Sequence, residues 1–267
     1  MTVPDSDIFV RVGTRDKIEP LGKSWMDQLQ KAHPDVDCGY TVSHYSVSDM
    51  RNRIVAAFIE SGRQWLVMVD DDAYPKRGTI HDLCIPGKDI VAATVFVFAA
   101  DVMLTTAKAR NWKTSGLRSM GLDPDKDHGL LEVAAIGSAA MAIHRRVLTH
   151  PQMNGPFFFQ TDTQGRINKG SDLCFCERAG ELGFRTWWHR DVIFQHATEC
   201  WTADLADIYG RFDVIRKKCN TAFGWDLSKV YLWLQDCLDE LIETNPDVND
   251  KIEQMLHDAA EIPEDAA

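Results

Sequence analysis

The run WLVMV at residues 65 to 69 is apolar at every position. A strand with one wet face alternates apolar and polar residues, so this one must be covered on both faces. Two other strand-like runs precede it, Ile8 to Val12 and Val36 to Val42, and the stretches between them carry helical periodicity. The segment from Ile18 to Ala32 reads as a helix with Pro20 in its first turn. The next helix has Ser48 as expected N-cap, Met50, Ile54, Val55, Phe58 and Ile59 at helical spacing, and Gly62 as its stop. Strands joined through helices form parallel sheets with helices on both faces, which makes the fold class α/β. Ligands of such sheets gather beyond the carboxyl ends of the strands.

The run IVAATVFVFAA, residues 90 to 100, is shorter than the roughly 20 residues of a membrane-spanning helix and reads as another buried strand. A loop-rich stretch is expected from Asp101 to Gly129. LLEVAAIGSAAMAIHRRVL then reads as two short strands around Gly137 and Ser138, and PFFFQTDTQGRINKG as polar turns. SDLCFCERAGELG reads as a helix capped by Ser171 and stopped by Gly183, and TWWHRDVIFQH as a strand. From Trp201 the pattern is helical and ends in the acidic tail EIPEDAA, where disorder is expected. The expected organisation is therefore one α/β domain over residues 1–200 and a helical C-terminal extension over 201–267.

The formal net charge of −11 disfavours nonspecific binding to nucleic acid or anionic lipid, which needs clustered Lys and Arg. MTVPDSDIFV has no basic region followed by an apolar core, so a cytoplasmic chain without a secretory signal or integral membrane segment is expected. Seven cysteines stand apart without a CxxC pair, which reads as free, buried thiols rather than structural zinc.

Chemistry concentrates in QWLVMVDDDAYP, where Asp70, Asp71 and Asp72 directly follow a buried strand. Three adjacent carboxylates leaving water are costly unless a cation offsets them. An EF-hand would need glycine and glutamate where this loop has Pro75 and His81. A haloacid-dehalogenase phosphatase would want Thr or Val shortly after its second Asp, where Ala73 and Tyr74 stand. The remaining reading is a DxD motif, in which Asp70 and Asp72 hold Mg²⁺ or Mn²⁺ against the diphosphate of a nucleotide sugar.

WLVMVDDDAYP, the upstream MRNRIV, EVAAIGSAAMAIHRRVL and GSDLCFCERAGELGFRTWWHRDVIFQH, in this order, resemble the GT-A-fold glycosyltransferases, closest to the family 2 type. The resemblance spans about residues 8 to 198. It implies a GT-A (Rossmann-like nucleotide-diphospho-sugar transferase) mixed sheet flanked by helices. Thr14 matches the start of the nucleotide pocket, and Arg51 and Asn52 match the RN pair that faces or shapes that pocket. Asp71 is grouped with them, and the small residues Gly137 and Ser138 match the loop beneath the donor sugar or acceptor. Asp172 matches the general base of inverting members, although Ser171 stands where Glu is common. His196 matches a further metal ligand beside Asp70 and Asp72. Trp187 or Trp188 could stack on a sugar, with core packing the plainer role.

These readings lead to the expectation of a Mn²⁺- or Mg²⁺-dependent glycosyltransferase that carries a sugar from a nucleoside diphosphate, UDP favoured, to an acceptor hydroxyl. The acceptor is expected to be a glycan, a protein or a small molecule, with modified DNA disfavoured by charge. A nucleotidyltransferase and a catalytically inactive nucleotide-sugar or carbohydrate-binding protein on the same fold are the alternatives.

Overall fold

Alternation along the central strands sorts the apolar residues onto two faces of one sheet. The computed structural model describes residues 2–14, 20–99, 102–111, 116–122 and 126–196. Its strands are β1 (Ile8–Thr14), β2 (Asp37–Val42), β3 (Trp65–Asp70), β4 (Ala73–Arg77), β5 (Ile90–Ala99), β6 (Val102–Thr105) and β7 (Lys108–Asn111). They continue with β8 (Gly116–Ser119), β9 (Leu130–Val133), β10 (Ala140–His144), β11 (Gln160–Thr161), β12 (Ile167–Lys169) and β13 (Thr186–His196). The helices are α1 (Pro20–Ala32), α2 (Val47–Ser61), α3 (Ile80–Leu83), α4 (Arg145–Leu148) and α5 (Ser171–Glu181), and a 3-10 turn at Asp5–Asp7 leads into β1.

The main sheet runs β2-β1-β3-β10-β5-β13-β4, with β6 paired to β5 and β9 to β13. β1 is parallel to β2 and β3, β13 is parallel to β5, and β10 is antiparallel to both of its neighbours. The fold is α/β, a mixed sheet flanked by helices. Phe9, Leu66 and Met68 face one layer, with Met50, Ile54 and Phe58 of α2 and Phe175 of α5. Ile8, Val10, Val12, Val67 and Val69 face the other, with Met26 and Leu29 of α1 and Ile80 and Leu83 of α3. Both faces of WLVMV are therefore covered, as its composition requires.

Several local expectations change. Ser46, not Ser48, caps α2: its backbone is extended (φ −153°, ψ 161°) and its hydroxyl accepts from the Asp49 amide. Ser48 lies within the first turn, its Oγ buried without a hydrogen-bond partner. Gly170 caps α5, and Ser171 is the first helical residue. Gly62 (φ 75°) ends α2 and Gly183 (φ 88°) follows α5, both in the left-handed conformation that glycine adopts without steric cost. The stretch expected to be loop holds β6, β7 and β8. Strand β4 contains Pro75, which is tolerated because β4 is the sheet edge. Gly137 and Ser138 do not close a hairpin, since β9 pairs with β13 while β10 pairs with β3 and β5.

All described residues belong to one unit, Met1–Gly210. The expected helical extension over 201–267 lies outside the described residues. Among the described residues no helix is long and apolar enough to cross a membrane. Cys38, Cys84, Cys174 and Cys176 are free, and burial pushes the Cys176 thiol up to about 12.

The cap assignment is testable. Ser46→Ala should cost about 1 kcal/mol, whereas Ser48→Ala, which deletes a buried hydroxyl without a partner, should be neutral or stabilising. Urea unfolding of both variants reads this directly, and a greater loss for Ser48→Ala would contradict it.

Candidate active site

Gly13 of β1 stands opposite Asp70 of β3 in a parallel pair, so the carboxyl ends of both strands share one rim of the sheet. The Asp70 amide donates to the Ala139 carbonyl at 3.0 Å, which brings the segment after Gly137 and Ser138 to the same rim. The chain turns through Asp71 and Asp72 and leaves along β4. There the backbone of His196 pairs with that of Ala73, next to Asp72. Sheet register thus assembles Thr14, the acidic triplet and the His196 backbone.

Burial and like charge act together on Asp71. Burial raises its carboxyl above the ordinary aspartate value, a hydrogen bond from the Thr14 hydroxyl offsets part of that rise, and the charges of Asp72 and Asp70 add to it. Thr14 is itself 2% exposed, so it holds the Asp71 side chain from the end of β1.

Arg51 brings a positive charge to Asp70. Its side chain is buried; Nη1 donates to Ser171 Oγ at 2.9 Å and Nη2 reaches Asp70 Oδ1 at 3.4 Å. Its guanidinium also lies 5.9 Å from the centre of the Phe157 ring, which stacks on Phe175 at 4.7 Å. Asn52 clamps the backbone of Phe157, donating from Nδ2 to its carbonyl (2.8 Å) and accepting at Oδ1 from its amide (3.1 Å). Both ends of the Asn52 amide are thereby engaged, so it shapes the site through residue 157. Arg51 and Asn52 reach these partners because α2 packs closely on β1: a Cβ at Gly13 would fall 2.5 Å from Met50 Cε.

Asp172 follows Ser171 in the first turn of α5. Its Oδ1 accepts from the Leu173 amide at 2.9 Å, and Oδ2 has no partner among the described residues. A carboxylate so placed is favoured by the helix dipole and keeps one oxygen available. Gly137 has a packing reason to be glycine, since a Cβ there would lie 2.8 Å from Thr106 Cβ, an atom next to the backbone that cannot swing aside. Ser138 Oγ is buried without a partner.

Trp188 is core: it is 1% exposed and its Nε1 donates to Thr94 Oγ1 at 2.8 Å, so it offers no face to a sugar. Trp187 carries Lys88 Nζ 3.4 Å above its ring. His189 is half-buried and its ring is held below the usual imidazole value, chiefly by burial. Sequence reasoning missed the roles of Ser171 and Phe157. The one available signal was Ser171 standing in place of an acid, which leaves a hydroxyl rather than a carboxylate to receive Arg51.

No protein-family model matches the sequence, and comparison with curated proteins finds no match. Solved structures similar to the chain include A197 from STIV, at 16% identity and TM-score 0.48, covering 71% of this chain and 84% of that one. GalNAc-T7, solved with UDP, GalNAc and Mn²⁺, is 10% identical at TM-score 0.43, covering 72% of this chain. This chain spans 38% of that protein's length. A nucleoside-diphosphate-sugar pyrophosphorylase from Vibrio cholerae RC9 is 7% identical at TM-score 0.38, covering 75% of this chain and 81% of that one. All three likenesses lie below a TM-score of 0.5. At such values they say nothing about activity, which has to be read from the residues themselves.

Because the folded protein raises the Asp71 pKa, ionised Asp71 destabilises the fold above that pKa, and the effect fades as pH falls toward 3.8 and the side chain protonates. Asp71→Asn can still accept from Thr14 but carries no charge. In chelator at pH 7 it should raise the melting temperature by about 1–2 °C, with the gain vanishing near the acid limit; a lowered melting temperature would contradict the crowding. Gly137→Ala should cost about 1–3 kcal/mol from overpacking, read by denaturant unfolding, and an unchanged midpoint would contradict the packing role.

Proposed function

We propose that the chain is a metal-dependent glycosyltransferase that moves a sugar from a nucleoside-diphosphate sugar, a UDP-sugar by preference, to an acceptor hydroxyl with inversion. The observation that carries this reading is the Arg51 guanidinium, which engages Asp70 on one side and Ser171 on the other. It joins the acidic triplet to the start of the helix that bears Asp172, across 120 residues of sequence. The reading takes Asp70 and Asp72 as cation ligands and Asp172 as the proton acceptor of one locus at the carboxyl ends of parallel strands.

The residues present fit a hard divalent ion. Asp70 and Asp72 offer oxygen ligands of the kind Mg²⁺ and Mn²⁺ combine with substrate phosphates, and the like-charge crowding felt at Asp71 is what such an ion relieves. The His196 backbone, opposite Ala73, suits a third ligand from β13. When bound, the ion supplies charge stabilisation for the departing diphosphate.

The chain's own residues do the rest. Thr14, Arg51, Asn52, Gly137 and Ser138 form or brace the donor pocket. Oδ2 of Asp172 takes the acceptor hydroxyl proton as the acceptor oxygen bonds to the anomeric carbon and the bond from that carbon to the diphosphate oxygen breaks. The products are the glycoside and a nucleoside diphosphate. A glycan, protein or small-molecule acceptor fits the acidic chain better than DNA.

A panel of nucleotide sugars with Mn²⁺ and candidate acceptors tests the reading through release of free nucleoside diphosphate. Asp172→Asn should lower turnover by about 100-fold or more, with donor affinity and melting temperature nearly unchanged. Near-normal turnover would refute the base. Release of pyrophosphate would point instead to nucleotidyl transfer, and tight binding without cleavage to an inactive binding protein.

A further inference from the structure

At the amino-terminal end of β1, three side chains from distant segments converge. Asp5 lies in the 3-10 turn before β1, His33 directly follows α1, and His81 belongs to α3. Strand β1 separates this end from the acidic triplet by roughly 20 Å at the rise of an extended chain. His33 Nδ1 is 2.9 Å from one oxygen of Asp5, and His81 Nε2 is 2.8 Å from the other. The two rings are 4.4 Å apart, tilted by 43°. One nitrogen of each ring and a carboxylate oxygen all lie within 4.8 Å of one another.

We propose that Asp5, His33 and His81 form a second cation site, separate from the acidic triplet, that takes Zn²⁺ or a similar borderline transition ion as a structural clamp. Two imidazole nitrogens and one carboxylate oxygen are a donor set that zinc accepts, with water completing the tetrahedron. The side chains of His33, Asp5 and His81 keep 40%, 30% and 22% of their surface exposed, which admits both the ion and that water. Nitrogen donors favour zinc, cobalt, nickel or copper over magnesium. The two ends of the sheet would therefore select different ions.

Each ligand sits on a braced backbone. Arg63 binds the carbonyls of Asp5, Ser6 and Asp35; the His33 amide donates to Leu29; and a Thr79–Asp82 capping box opens α3 just before His81. Without metal, each ring nitrogen facing Asp5 donates a proton to it. An ion takes the lone pair instead, so the proton moves to the other ring nitrogen or to solvent. A bound ion would join the entry to β1, the end of α1 and α3.

Zinc titration of the metal-stripped full chain by calorimetry, in an Asp70→Asn, Asp72→Asn background that disables the triplet, reads this site alone. One equivalent should bind and raise the melting temperature. His33→Gln and His81→Gln should each weaken binding by about tenfold or more, a loss seen even for outer partners of metal ligands, and abolish the thermal shift. Co²⁺ in the same parent should give ligand-field bands of nitrogen and oxygen coordination without thiolate charge transfer. That spectrum needs no histidine variant to fold. Absence of zinc binding, equal binding by the histidine variants, or a thiolate band would overturn the proposal.

Discussion

A buried guanidinium holds this site together. Arg51 is only 8% exposed, and a charge so far from water must be paired and hydrogen-bonded. Its partners come from β3, α5 and the Phe157 segment, so satisfying one side chain fixes three parts of the chain around the carboxyl end of the sheet. The helix that carries it is positioned first. Ser46 caps α2, Ser43 donates to Asp49 at 2.6 Å in its first turn, and Met50, Ile54 and Phe58 pack on the sheet. Arg51 and Asn52, next in sequence to Met50, then point at the site because the neighbouring face is anchored.

The opposite constraint is the crowding of negative charge. Arg51 stands beside three successive aspartates and meets Asp70 at only 3.4 Å, a long contact for an ion pair. Burial, with the charges of Asp72 and Asp70 added to it, raises the Asp71 pKa. Apolar burial along β3 gives way to the half-buried carboxylates of Asp70 to Asp72 at a single residue boundary, and that boundary is where parallel α/β sheets place ligands. The proposed divalent ion answers the same crowding.

Much of the fold was legible because its signals are local. TWWHRDVIFQH corresponds to β13 from end to end, WLVMV to β3 less its final Asp70, and Gly62 marks the end of α2. Strands β6, β7 and β8 were not legible, since runs of four residues such as VMLT, KARN and GLRS are too short to show a period. Ser46 and Ser48 are chemically equal candidates for a cap, and only the backbone angles separate them. At the site, the residues of the triplet announce themselves by adjacency. The Arg51–Ser171 bond spans 120 residues, Asn52 engages a backbone rather than a side chain, and Asp5 meets His81 across 76 residues. Contacts of that kind leave no periodicity or spacing to read.

The acidic rim is proposed to hold a nucleoside diphosphate through a divalent ion. Calorimetric titration of UDP into the metal-stripped protein, with and without Mn²⁺, tests it most directly, using the wild-type chain and Asp72→Ala. Binding by the wild type is expected only when Mn²⁺ is present, and none by Asp72→Ala in either condition. Equal UDP affinity with and without Mn²⁺, or unchanged Mn²⁺-dependent binding by Asp72→Ala, would contradict it.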